Sequence, residues 1–100
     1  MDYACITITK RDGSKENFSI EKIERAIAKA YRADGMNDET SIKQVTAEVA
    51  AAIDRENISV EEIQDLVERK LMMRNPSVAK KFIIYREWRT KEREKRTSMK

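Results

Sequence analysis

The 100-residue chain has no histidine and one cysteine, Cys5. A structural zinc site of the Cys/His kind is therefore out of reach of a single chain. Neither a Ser-His-Asp nor a Cys-His arrangement for nucleophilic catalysis can be assembled. One cysteine forms no internal disulfide and suits a reducing compartment; Cys5 is expected as a small apolar strand residue. Gly13 and Gly35 are the only glycines. A Walker A loop and a dinucleotide-binding fingerprint both need clustered glycines, so any nucleotide bound here is held by another device. No apolar run approaches the length that spans a bilayer. Asp2 stands where a signal peptide needs positive charge, and no apolar segment follows, so a cytoplasmic location is expected.

What remains is enough for one domain. Hydrophobic residues make up 40% of the chain, which supports a modest core despite 39% charged residues. The net charge of +3 hides an asymmetry. Residues 80–100 carry nine Lys/Arg against three Asp/Glu, while residues 1–79 carry twelve against fifteen. The body is mildly acidic and the tail basic.

The periodicity gives a hairpin followed by four helices. Ile6 and Ile8 alternate with threonines as on a half-buried strand. Asp12-Gly13 suits a type I′ turn, which needs positive φ at both central residues, and Phe18 closes the return strand. Helix one is expected over 20–32, with Ser19 as its cap and the stripe Ile20, Ile23, Ile27 and Ala30/Tyr31; Glu21, Glu24, Arg25 and Lys29 face outward or toward a ligand. Gly35 offers a left-handed C-cap. Helix two carries Ile42, Val45, Val49, Ala52 and Ile53, and Arg55-Glu56-Asn57 reads as a connection. Ser59-Val60-Glu61-Glu62 forms a capping box, with Ile58 and Ile63 as its hydrophobic staple, opening a helix with the core face Ile63, Leu66, Val67 and Leu71. Asn75-Pro76 ends it. Helix four runs from about 77 to at least 89, with Val78, Phe82, Tyr85 and Trp88/Arg89 on one face. Tyr85 and Trp88 read as core or interface residues. The fold class is thus α+β, mostly helical: a four-helix bundle capped by a small N-terminal hairpin sheet.

Lys10, Arg11 and Lys15 on the hairpin lie beside a helix N-terminus with its own positive partial charge, a good place for a phosphate chain. Lys22, in the first turn of that helix, opposes the dipole, and an unfavourable cation there suggests an anion between it and the hairpin. On local sequence alone, Lys10 and Arg11 read more simply as solvated turn charges.

Three segments in order change that balance. Lys10-Arg11-Asp12-Gly13 with Glu16, Phe18, Lys22-Ile23 and Ala26-Ile27, then Val60 through Glu68, then Val78 through Arg86, together resemble the ATP-cone family. That resemblance covers about residues 6–89. It implies an allosteric module of ribonucleotide reductases that binds ATP or dATP, with magnesium, and does not hydrolyse it. ATP would permit activity of the attached enzyme and dATP suppress it through subunit assembly. It implies phosphate contacts from Lys10 and Arg11 on a hairpin lid, a phosphate or ribose contact from Lys22, and positions near the nucleoside for Glu16 and Ser19. Val60 and Gln64 match positions near the ligand. Either Arg86 or Arg89 matches a basic side chain set against the phosphates.

By the same resemblance, residues 1–89 are the cone and 90–100 a basic helical extension or linker to a catalytic body. The chain has no catalytic residues of its own. It is expected to be the regulatory domain of a ribonucleoside-triphosphate reductase, with the anaerobic type preferred from Tyr85-Arg86, Arg89 and Arg93-Glu94-Lys95-Arg96. Its expected partners are adenine nucleotides, and either further copies of itself or the catalytic body, with no membrane. Two other readings compete. One is a helical protein-interaction module that docks helix four on an acidic partner. The other is a nucleic-acid module using the basic tail, disfavoured because Glu87, Glu92 and Glu94 interrupt the charge and exposed stacking aromatics are not expected.

Overall fold

The computed structural model describes residues 6–98, with side chains through residue 92. Cys5 and the tail side chains beyond Glu92, including the Arg93–Arg96 run, lie outside the described residues.

The chain is α+β and mostly helical. Its elements are β1 (Thr7–Thr9), β2 (Lys15–Asn17), α1 (Ile20–Ala33), α2 (Glu39–Ala52), β3 (Asn57–Ser59), α3 (Val60–Arg74) and α4 (Pro76–Ser98). The sheet has the order β2-β1-β3. The hairpin pairs Ile8 with Glu16, and the parallel pairing of β1 with β3 sets Ile8 opposite Ile58. Asn57, expected in a connection, is therefore a strand residue. Its strand has three residues, too few for an alternating pattern to register.

The hairpin turn also differs from expectation. Gly13 has φ +87°, while among the described residues no non-glycine has a positive φ, so a type I′ turn is excluded. The loop instead holds three residues, Arg11 to Gly13, closed by Lys10 N–H donating to the Ser14 carbonyl at 2.8 Å. Gly13 takes the left-handed position such loops require. Asp12 stabilises the loop by accepting from the Ser14 N–H at 2.9 Å and from its hydroxyl at 2.6 Å.

Helix ends follow local chemistry. At the end of α1, Gly35 has φ +78°, its N–H reaches the Arg32 carbonyl at 2.9 Å, and Met36 N–H reaches that of Tyr31 at 2.9 Å. This is the Schellman pattern that glycine permits at a helix end. Asp38 caps α2 by accepting from the Ser41 N–H at 3.1 Å. Ser59 caps α3 by accepting from the Glu62 N–H at 3.1 Å, while the Glu62 carboxylate lies 3.1 Å from Arg55. Pro76 takes the first position of α4, where its missing N–H costs nothing.

The four helices pack in a ring, α1 against α2 and α4, and α3 against the same two. The apolar stripes meet inside it: Ile27, Val45, Val49, Leu71, Val78 and Ala79 have no exposed surface, and Ile6, Ile8 and Ile58 carry the sheet onto the same core. No helix of the described residues is long and apolar enough to cross a membrane.

Candidate functional site

An open cleft of about 460 Å³ lies where the hairpin, one face of α1, the start of α3 and the middle of α4 converge. Ile8, Phe18, Ile23, Ile63, Val67 and Phe82 give it apolar surface. Its charged lining is one-sided: Lys10, Lys22, Arg25, Lys29, Arg86 and Arg89 against Glu16. An apolar floor takes a planar ring, and converging cations take a chain of phosphates.

Eight of the nine sequence-derived candidates line this cleft: Lys10, Glu16, Ser19, Lys22, Val60, Gln64, Arg86 and Arg89. Lys22 Nζ lies 3.3 Å from a Glu16 carboxylate oxygen, so the two close one wall together. Ser19 occupies the N-cap position of α1 but makes no side-chain cap bond; its hydroxyl donates to Glu21 at 3.1 Å. The first-turn N–H groups of α1 are thus not covered by the capping side chain beside the cleft. Val60 and Gln64 follow one another by a turn of α3. The Gln64 side-chain carbonyl is buried without a hydrogen-bond partner among the described residues.

Arg11 is the exception. Its guanidinium turns out of the cleft into a neighbouring recess, where Nε lies 2.9 Å from Glu61 Oε1. Arg86 borders both spaces. It is 18% exposed and held by three carboxylates, Asp65 and Glu68 at 2.9 Å and Glu61 at 3.2 Å. Burial alone disfavours its charge, but the hydrogen bonds to Asp65, Glu68 and Glu61 outweigh this and raise its pKa above the ordinary value. Arg86 is therefore an anchored wall residue. Arg89, one turn on, is exposed.

Several lining residues were not among the nine site candidates, although Arg25 and Lys29 were expected to face outward or toward a ligand. Arg25 and Lys29 repeat Lys22 at offsets of three and seven, the spacing of one helix face, and that repetition was the available signal. Tyr85 is not a core residue: it lines the cleft, with Lys29 Nζ 5.7 Å from its ring centroid and Trp88 stacked at 6.4 Å. Trp88 is 55% exposed, so an exposed aromatic does exist on α4, contrary to expectation. The helical stripe that buries Val78 and Phe82 drifts off the bundle as α4 passes beyond it.

A model of the ATP cone domain matches residues 6–91. The chain is 41% identical over 96 residues to an anaerobic ribonucleoside-triphosphate reductase of Haemophilus influenzae, covering 92% of this chain and 14% of that protein. It is 36% identical over 100 residues to a ribonucleoside-diphosphate reductase subunit alpha of Chlamydia pneumoniae, covering 88% and 10%. It is 38% identical over 99 residues to a vitamin B12-dependent ribonucleoside-diphosphate reductase of Thermoplasma acidophilum, covering 92% and 13%. The chain thus spans about a tenth to a seventh of the length of these curated relatives. They are reductases of several kinds, so the similarity does not single out the anaerobic type. With the family model matched from the first strand through most of α4, the chain belongs to the ATP-cone domain family.

Proposed function

We propose that this domain is an allosteric sensor of adenine nucleotides, binding ATP and dATP in the cleft and passing their identity to a ribonucleotide reductase body. The observation that carries this reading is the one-sided charge of the cleft over an apolar floor. Lys10, Lys22 and Arg89 supply phosphate donors, with Arg11 joining them from the hairpin tip. Glu16, Ser19, Val60 and Gln64 surround the nucleoside. Magnesium arrives on the nucleotide's own phosphates. The nucleotide is a signal rather than a substrate.

ATP and dATP differ by one ribose hydroxyl. They can give opposite signals only by favouring different states of the domain or its assembly, since a ligand bound equally by two states shifts neither. Residues 1–89 form the sensing unit, and residues 90–100 lead toward the catalytic body. Assembly of subunits is the output, and the setting is the cytoplasm.

Calorimetric titration with ATP, dATP and GTP in the presence of Mg²⁺ tests the reading. Micromolar-range heats with both adenine nucleotides and none with GTP are expected. A folded sample giving no heat with any nucleotide would overturn it. The double change Lys10→Ala with Arg11→Ala should abolish ATP binding while leaving the helical circular dichroism unchanged; survival of binding would move the phosphate site elsewhere. Sedimentation with and without each nucleotide tests the assembly output.

A protein-docking reading has one observation of its own. Ile84 and Trp88, a turn apart on α4, are 60% and 55% exposed. Association indifferent to nucleotide would favour it.

A further inference from the structure

One carboxylate holds two guanidiniums at the edge of the cleft. Glu61 Oε1 lies 2.9 Å from Arg11 Nε, and Glu61 Oε2 lies 3.2 Å from Arg86. Arg86 keeps two further acceptors at 2.9 Å, Asp65 and Glu68. The cluster thus sets two arginines against three carboxylates and carries excess negative charge beside a cationic cleft.

We infer that Glu61 is an internal competitor for Arg11: it holds the guanidinium out of the cleft until a polyphosphate displaces it, and so lowers the affinity most for the ligand that engages Arg11 best. This rests on the adenine-nucleotide reading above. The two arginines differ in how firmly they are held. Arg86 is largely covered and has three partners, so it stays. Arg11 stands at the tip of a three-residue loop, and the Arg11 and Glu61 side chains are 29% and 48% exposed, against 18% for Arg86. A pair this open to solvent on one side is weak and can exchange partners. The competing ligand must bring more charge than one carboxylate, which a triphosphate does and a monophosphate does less well. Glu61 lies in the first turn of α3, and its release leaves Asp65 and Glu68 on the same helix to keep Arg86 in place.

The test is calorimetric titration of ATP, ADP and AMP against the wild-type domain, Glu61→Gln, Arg11→Ala and the double variant. Glu61→Gln is expected to tighten ATP about two- to fivefold, the range that corresponds to an exposed ion pair. The gain should shrink through ADP to AMP and vanish in the Arg11→Ala background. Glu61→Asp keeps a charge at the helix start but draws it back, and should give a smaller gain of the same sign should Glu61→Gln fail to fold. An unchanged or weakened ATP affinity, an equal change for all three nucleotides, or a gain that persists without Arg11 would overturn the inference. Wild-type domain that binds no ATP would sink the nucleotide reading as well, whereas binding indifferent to Glu61 sinks the inference alone.

Discussion

Gln64 carries an unsatisfied polar atom into the fold. Its side-chain carbonyl is buried with no partner among the described residues, and an unsatisfied group of this kind costs about 1–3 kcal/mol. Gln64→Leu should therefore leave the ligand-free domain as stable as wild type, or up to about 1 kcal/mol more stable in urea unfolding, while weakening ATP in calorimetry. A loss of both stability and binding would assign Gln64 to the fold instead. At this scale the sequence names most of the cations that line the cleft, but not their pairings. Lys10 and Lys22 stand beside a helix start in the sequence, whereas the basic position on α4 came only from the family resemblance, as Arg86 or Arg89. Glu61, Asp65 and Glu68 share one face of α3 at offsets of four and seven, which marks an acidic stripe but not its partner. That partner, Arg86, stands 18 to 25 residues away and is found only once α3 and α4 pack.

Among the elements, the helices were read from their apolar stripes because burial repeats every turn. The strand β3 was not, because Asn57–Ser59 contains one apolar residue and its reason to be extended is β1, about 50 residues earlier. Ser19 shows the same division: its place at the start of α1 follows from sequence, but its hydroxyl prefers the nearby Glu21 carboxylate. Asp38 offers a quantitative check on a helix end that was read only as a polar run. Hydrogen bonds from the Ser41 hydroxyl and N–H hold its carboxyl below the ordinary value of 3.8. A depressed folded pKa adds stability that is present above the unfolded value and is lost as pH falls through the folded one. Asp38→Ala should lower the melting temperature at neutral pH, and the gap to wild type should close as the pH drops below 3.8. A gap independent of pH would mean that the charge of the cap contributes nothing.

At the scale of the molecule, cleft and core share walls. Ile8, Ile23, Ile63, Val67 and Phe82 belong to both. The site cannot exist before the bundle closes, because the first strand and the last helix each contribute to it. Leu71, fully buried on α3 and away from the cleft lining, separates packing from binding. Leu71→Ala should cost about 2–5 kcal/mol in urea unfolding. ATP at one hundred times its dissociation constant should return about 2.7 kcal/mol of that by binding the folded state. A variant that regains nothing with ATP would show that the cleft had been lost with the core. The bundle as a whole was legible in the sequence; the ring order of its helices and the parallel closure of its sheet are long-range facts that no local pattern carries.

The last helix has a mechanical consequence. It runs unbroken from Pro76 to Ser98, and Arg86, which borders the cleft, stands near its middle. From Arg86 to Ser98 the axis extends roughly 18 Å, so each degree of tilt at the cleft swings the far end by about 0.3 Å. A rod of this kind turns a small adjustment around a bound molecule into a displacement large enough to make or break a contact at a distance, with no hinge along its length.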